Sequence, residues 1–550
     1  MSKQTKDTYE AWSARATREL KGKALESLNW KSSSGLSFHP YYSWEQGNKR
    51  FPVQWTRTGN EWDICESILV NEAKEANKQA LSALNAGANA LLFQWTSASV
   101  SPSELLDEIG LPYIQCSFQM PAEQINEWAV ALRNYIDSKG FDSKSCSGFL
   151  KVHMEDASDG SVLANRLELL SNSRPIIQDL LPAYRTGIAH VALFANRGLH
   201  AAQELGMALY WYQYLLEQGF EQNELHLSCG RDFYTELVKF RIAGNLAGQI
   251  AKAYGKTKAI RIHGISSSLY MSDLDRYSNL LRLTTAAMSA VSGGANSVQL
   301  NSFSKNSEDS ESFKSRITRN IQLVLLHETG IGDVRDAAAG SYFLEEMSFR
   351  LAEQTWEFFV SLQPYSGMPE FLRSTEFLKL IREAEKNAID AVSSRKAFFL
   401  GVNQYPNTLE ETPELPNTEE KAFAPLHLSG MFHHLKKEGK PQKALLLKKG
   451  NLAMRNAQAG FVANFLRCGN WELKEILWND EALEKADLYV LCSSDDEYAE
   501  WVKSPLLREK NIAIAGNPGE SEDEFRRAGV GHFIHVKSHL FKTLSQLANS

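Results

Sequence analysis

The chain has 550 residues, a formal net charge of -7, and 43% hydrophobic and 23% charged residues. That length is too great for one core and suits two to four domains, fewer if one is a barrel; the proportions exclude a disordered or fibrous chain. Lys and Arg are scattered, so there is no basic stripe to neutralise a phosphate backbone, and no nucleic-acid partner is expected. The six cysteines (Cys65, Cys116, Cys146, Cys229, Cys468, Cys492) form no CxxC pair and read as buried free thiols of a reducing compartment. The start, MSKQTKDTYEAW, is charged and lacks the apolar run of a signal peptide, and no stretch has membrane length. A cytoplasmic protein without a membrane partner is expected, with a soluble organelle matrix as the alternative.

The segment DTYEAWSARATRELKGKALESLNW carries aromatic and apolar residues outside any repeating unit. It reads as a helix packed on its own domain or as an arm that docks on another subunit. From about residue 75, helical patterns alternate with short apolar runs, the rhythm of βα units around a parallel sheet. The expected strands are ALLFQW (90–95), YIQCSF (113–118), FLKVHM (149–154), HVALFA (190–195), LHLSCG (225–230), AIRIHG (259–264) and SVQLNS (297–302). The helical stripes ELGMALYWYQYLLEQGF (204–220) and RYSNLLRLTTAAMSAVSGG (276–294) run to glycines suited to a helix C-terminus.

An eighth element around GDVRDAAAG (332–340) would close a (β/α)8 TIM barrel over residues 76–362, behind a lead-in of residues 1–75. An open doubly wound sheet has the same rhythm. Residues 363–442 read as a linker, because from about 400 to 442 Pro, Asn and Glu dominate without periodicity. Residues 443–550 hold ALLLKKGN (444–451), DLYVLCSS (487–494), NIAIAG (511–516) and HFIHV (532–536), and read as a smaller, four-stranded flavodoxin-like α/β domain.

Chemistry in a barrel gathers at the C-terminal ends of the strands. In RIHGISSSLYMSDLD, Arg261 and His263 share one face of a strand, and Ser266 to Ser268 follow it. A histidine there is a catalytic candidate or a hydrogen-bonded structural group, and the serines line a site or cap the next helix. NRGLHAAQELG (196–206) puts Arg197, His200, Gln203 and Glu204 on the same rim, where Arg and His suit an anionic or carbonyl-bearing ligand. The competing reading is a polar loop in which Gln203 and Glu204 begin a helix. SCGRDFYTE (228–236) adds Cys229 and Arg231; with no base nearby, Cys229 reads as structural. GNPGESEDE (516–524) is acidic and matches no dinucleotide fingerprint.

RIHGISSSLYMSDLDRYSNLLRLTTAAMSAVSGGANSVQLNSF, SRITRNIQLVLLHETGIGDVRDAAAGSYFLEE, NRGLHAAQELG, SCGRDFYTELVKFRIAG and ADLYVLCSSDDEYAEW occur here. Together they resemble the methylmalonyl-CoA mutase family of adenosylcobalamin-dependent isomerases. The resemblance implies a substrate-binding (β/α)8 barrel, a linker and a flavodoxin-like cobalamin domain. It also exposes departures. Catalytic members carry RTHSQTSG where this chain has Arg261, Ile262, His263, Gly264, Ile265, Ser266, Ser267 and Ser268. They carry YHMQEAG after strand four; aligned on Gln203 and Glu204, the Tyr-His pair falls on His200 and Ala201, so the histidine for the thioester carbonyl is missing or displaced by one position. They carry DxHxxG after the first strand of the last domain, where the histidine ligates cobalt and the aspartate orients it. The run KKGNLAMRNAQAGFVANFLRCG (448–469) has neither Asp nor His.

The resemblance therefore implies a degenerate small (beta) subunit in a heterodimer with a large catalytic subunit that interconverts methylmalonyl-CoA and succinyl-CoA in propionate metabolism. No catalytic, cofactor or metal residue is expected to work here. His263, His200, Arg197 and Gln203 are relics, and adenosylcobalamin resides on the large subunit. The rival readings are an independently active acyl-CoA mutase or other barrel enzyme using His263, Arg197 and His200, and a mutase-associated interaction protein; the lone chain, without its partner, could form a homodimer.

Overall fold

A computed structural model describes residues 8–43, 49–96, 100–304, 309–407, 423–437, 441–479, 482–494 and 497–548. Its larger part is a ring of eight parallel strands: β1 Asp63–Leu69, β2 Ala90–Gln94, β3 Gln115–Met120, β4 Gly148–Val152, β5 (Tyr184–Arg185 and Gly187–His190), β6 Asn223–Cys229, β7 Arg261–Ser266 and β8 Ser297–Gln299. β5 is interrupted at Thr186; its first half bonds β4 and its second half bonds β6, which carries the ring past its seam. The expected barrel is present, with two corrections.

The eighth strand is not at 332–340, which forms a short turn, Ile331–Asp333, and a loop. It is β1, inside the segment read as lead-in, and it pairs with β8 and β2. Its inward face carries Asp63, Cys65 and Ser67 rather than an apolar run, which hid it. In the fourth run, HVALFA, only His190 belongs to a strand, and Ala192–Ala195 turns into helix.

Alternation sorts the strand residues into two separate apolar sets. Leu91, Phe93, Leu150, Val152, Leu225, Leu227, Ile262 and Val298 face outward into the layer of helices, while Cys65, Ala90, Leu92, Phe149 and Ile188 form a small cluster inside the ring. Helix Ala201–Glu217 is buried on most of its surface because helix Tyr342–Ser361 lies across it. Gly206 allows that crossing: a Cβ there would sit 2.8 Å from the Thr355 carbonyl oxygen.

The segment 332–340 has a role other than a strand. Asp336 and Glu345 clamp the buried Arg241 of helix Phe233–Ala253, with Nη2 3.0 Å from a carboxylate oxygen of each.

Part of the expected linker is core. Helices Met368–Arg373 and Thr375–Ser393 put Phe371 and Phe377 into the main cluster; the Pro- and Glu-rich stretch 408–422 lies outside the described residues. The smaller domain has five strands, not four: β9 Gln442–Lys448, β10 Trp471–Leu477, β11 Leu488–Cys492, β12 Ile512–Ala515 and β13 Val530–Ile534, all parallel in the order β10-β9-β11-β12-β13. That is the 2-1-3-4-5 order of doubly wound sheets. β10 escaped notice because it is an edge strand with a largely exposed, charged surface. One face of this sheet shares a cluster with Leu269 and Leu274 of the loop after β7 and with Phe399, Leu428 and Phe432.

The lead-in divides. Residues 30–38 form a hairpin whose Phe38 packs edge-on against Phe343, 5.7 Å away, on the chain's own helix. Helix Tyr9–Glu19 buries none of its residues.

Replacing Arg241 by Met leaves Glu345, 1% exposed, without its cation. Stability is expected to fall by about 3–5 kcal/mol, read as a lower midpoint in equilibrium unfolding by urea.

Candidate functional site

The inward side chains fill the barrel axis in three tiers. At the N-terminal end, Arg261 pairs with Asp63 at 2.6 Å and Arg185 with Glu224 at 2.6 Å; Arg261 lies 3.9 Å from Glu224, and Arg185 donates to the Gln115 side chain at 2.8 Å. In the middle stands a row of histidines on adjacent strands, His190, His226 and His263, in register across β5, β6 and β7. The His226 ring is 4.7 Å from His263 and 5.6 Å from His190, and Phe149 stands edge-on to His226 at 4.7 Å.

At the C-terminal mouth, Glu155 accepts from His190 at 3.0 Å and lies 3.6 Å from the Lys151 Nζ. Gln119 donates to the same carboxylate at 3.0 Å and accepts from Gln94 at 2.7 Å. Burial alone would raise the Glu155 pKa, but Lys151 and His190 outweigh it and hold the carboxyl well below the usual range. The Lys151 ammonium is pushed down by burial, partly offset by Glu155.

The fully buried His263 is inside this column and not at a mouth. Its Nε2 is 3.4 Å from the Gln299 side-chain oxygen, and burial drives its pKa down to about 4. Neither ring nitrogen of His226, nor Nδ1 of His190 or His263, has a partner among the described residues, and each such nitrogen opposes folding. No three His, Cys, Asp or Glu groups among the described residues converge as metal ligands.

The rim candidates are spent on architecture. His200 is the N-cap of helix Ala201–Glu217: its Nδ1 accepts from the Gln203 amide, and the Gln203 side chain accepts from the His200 amide, both at 3.4 Å, a reciprocal capping box. Glu204 is buried against Lys239 at 2.6 Å and the Ser228 hydroxyl at 2.9 Å. Arg197 donates to Glu385 at 2.6 Å and to the Ala424 carbonyl at 2.7 Å, tying the rim to the segment that follows the barrel.

Ser266 accepts from the Asn301 amide, and Ser267 donates to Asn196, which also accepts from the Ser268 amide. The buried Cys229 thiol has its pKa pushed well up by burial, as a structural cysteine should. The structure therefore gathers Arg261 and His263 in one column and holds Arg197, His200 and Gln203 elsewhere.

The axial residues Lys151, Glu155, His190, His226 and Glu224 escaped the sequence reading. Lys151, His153 and Glu155 alternate at the end of one strand, and Glu224 and His226 do so on another; polar residues at period two inside apolar runs were the signal available.

In the smaller sheet, the crevice between β9 and β11 lies where the strand order reverses, the usual ligand position in such sheets. The loop there is Lys449, Gly450 and Asn451. Gly450 has φ +74° and the Glu497 carboxylate against it, Ser493 bonds both Glu497 and the Lys449 carbonyl, and Asn451 caps the next helix.

An eight-stranded parallel barrel joined through its rim to a 2-1-3-4-5 sheet defines a two-domain α/β barrel protein. Residues 103–465, well over half of the chain, match the methylmalonyl-CoA mutase family. The methylmalonyl-CoA mutase small subunit of Porphyromonas gingivalis is 30% identical over 97% of this chain and 96% of its own. The small subunit of Streptomyces virginiae is 25% identical over 97% and 94%, and the probable small subunit of Mycobacterium tuberculosis is 28% identical over 75% and 71%. The chain belongs to the methylmalonyl-CoA mutase family. These three relatives are all small subunits.

His263 and His200 are held neutral, with pKa values near 4 caused by burial, whereas histidine in an unfolded chain takes its proton near 6.5. Between those values the unfolded chain binds more protons. Stability is therefore complete above pH 6.5 and falls as pH drops toward 4; His263 alone contributes about 3 kcal/mol to that loss. Melting curves from about pH 7 to pH 4.5 should show a falling midpoint, less steep in His263→Gln.

Proposed function

We propose that this chain is the small, non-catalytic subunit of an adenosylcobalamin-dependent methylmalonyl-CoA mutase, a cytoplasmic heterodimer whose large subunit interconverts methylmalonyl-CoA and succinyl-CoA. The observation that carries this reading is the filled axis. Side chains aimed along it are bonded to one another at both ends and packed around Phe149 and His263 between, which supports an axis closed to an acyl-CoA arm. The histidine nearest the family's thioester-binding position, His200, has its Nδ1 committed to a helix cap.

The cobalamin fit fails on the same kind of argument. The loop after β9 carries Lys449, Gly450 and Asn451 and no imidazole, and the carboxylate of Glu497 lies against Gly450. An anionic group in that crevice would repel the phosphate of a nucleotide tail. No step of the reaction is assigned to this chain. Its contribution is a surface. Helix Tyr9–Glu19, short and without a buried residue, is too short to be stable in isolation and supports an arm that docks on the large subunit.

Three measurements test the reading. Adenosylcobalamin added to the purified chain is expected to keep its free absorbance spectrum, mutase turnover to require the large subunit, and the two chains to co-purify at one-to-one. Deleting residues through Leu20 should weaken that association and leave the melting temperature of the lone chain unchanged. A stoichiometric spectral shift or turnover by the lone chain would overturn the proposal. Loss of association during chromatography would favour a transient assembly factor.

A further inference from the structure

Helix Thr375–Ser393 leads into a loop, residues 395–405, whose backbone is clamped at several points. The buried Asn403 side chain accepts from the Phe399 amide at 2.6 Å and donates to the Val392 carbonyl at 2.8 Å and the Ala397 carbonyl at 2.9 Å. Arg231 Nη1 donates to the Phe398 carbonyl and Arg282 Nη2 to the Leu400 carbonyl, both at 2.7 Å. Phe399 and Val402 anchor the loop in the apolar layer under the smaller sheet. Arg395 and Tyr405 stand at its two ends with φ +61° and +48°, left-handed conformations that cost a residue with a side chain free energy and last only where the surroundings impose them.

Between these anchors the loop turns large apolar side chains outward. Phe398 is 65% exposed, Leu400 47% and Tyr405 70%. Leu281, 68% exposed, joins them, because its neighbour Arg282 holds the Leu400 carbonyl. The exposed Tyr277 lies four residues before Leu281, on the same side of helix Ser278–Ser292. Single exposed apolar residues are ordinary, but these five together expose roughly 600 Å², as much as the largest patch on a typical monomer and most of the ~800 Å² that each partner gives to a standard interface. Water gives no reason to hold such a loop in one shape. A partner does, since backbone ordered in advance lowers the entropy lost on docking, and Tyr, Phe and Arg are the residue types enriched where partners meet.

Charge decides between partners. Arg231 and Lys396, at the edge of the patch, have no carboxylate within 4.0 Å among the described residues, and the Asp275 carboxylate is bonded to the Ser278 hydroxyl at 2.6 Å. A second copy meeting this patch about a two-fold axis would set these cations against themselves. A different chain with an acidic rim would pair with them.

We propose that Phe398, Leu400 and Leu281, flanked by Tyr277 and Tyr405, form a docking surface for the large subunit, which meets it with an apolar patch rimmed by carboxylates. The inference rests on the subunit reading above and adds a place of contact distinct from helix Tyr9–Glu19.

The test is the affinity of the full chain for the separately purified large subunit, read by surface plasmon resonance at low and high salt, with analytical ultracentrifugation of the lone chain beside it. Phe398→Ser and Leu281→Ser alter exposed side chains and keep every backbone bond of the loop, so both should melt as wild type does and bind at least about tenfold more weakly. Lys396→Glu should weaken binding at low salt, with a smaller deficit at high salt. Wild-type affinity in all three variants overturns this surface and leaves the subunit reading standing; absence of binding by wild type overturns both. A dimer of the lone chain that Phe398→Ser dissolves names a second copy as the occupant and overturns the proposal as well.

Discussion

A closed parallel barrel must fill its own axis, and in this chain that requirement is met almost wholly by polar side chains. Barrels of this class usually stack branched apolar residues in layers; here the apolar part shrinks to a small cluster around Phe149 between two charged tiers. Buried charges persist only where they are paired. Arg261 needs Asp63, Arg185 needs Glu224, and Lys151 with His190 needs Glu155, so every member of these sets already has a partner inside the barrel. The histidines between them stay neutral because burial makes the charged form costly. One constraint thus decides both how the ring is held together and how its charged and imidazole side chains are partnered within it.

The outer face of the barrel was readable in the sequence because it obeys the simplest rule: Leu91, Phe93, Leu225 and Leu227 point into helices and give the strands an apolar signature. The inner face obeys a different rule, since its residues answer to partners far along the chain. Asp63 reads as a loop residue until Arg261, 198 positions later, is placed beside it. β1 therefore carries no strand signature of its own, and 332–340, whose aspartate belongs to the Arg241 clamp, offers a false one. The edge strand β10 was lost for the opposite reason, because one side of it has no neighbour and its sequence follows solvent.

Much the same distinction separates the site residues. The sequence motifs put Arg197, His200 and His263 on one rim; Arg197 and His200 follow the C-terminal end of β5, whereas His263 sits inside the axial column, and His200, Ile262 and Ile265 stand out as departures from the family pattern. What they had become was not visible. A capping box takes two residues three apart and could be read locally; the bond from Arg197 to Ala424 and the grip of Arg231 on Phe398 join parts of the chain between which periodicity carries no information. Polar rim positions thus serve as joints between distant parts of the chain.

The loop that follows β7 supplies Leu269 and Leu274 to the apolar layer under the smaller sheet. Domains that share a layer of this kind lose the low-energy hinge that separate cores permit, so heat should melt barrel and sheet together in one cooperative transition. Such a body offers a neighbour a fixed outline rather than a cleft that opens and closes.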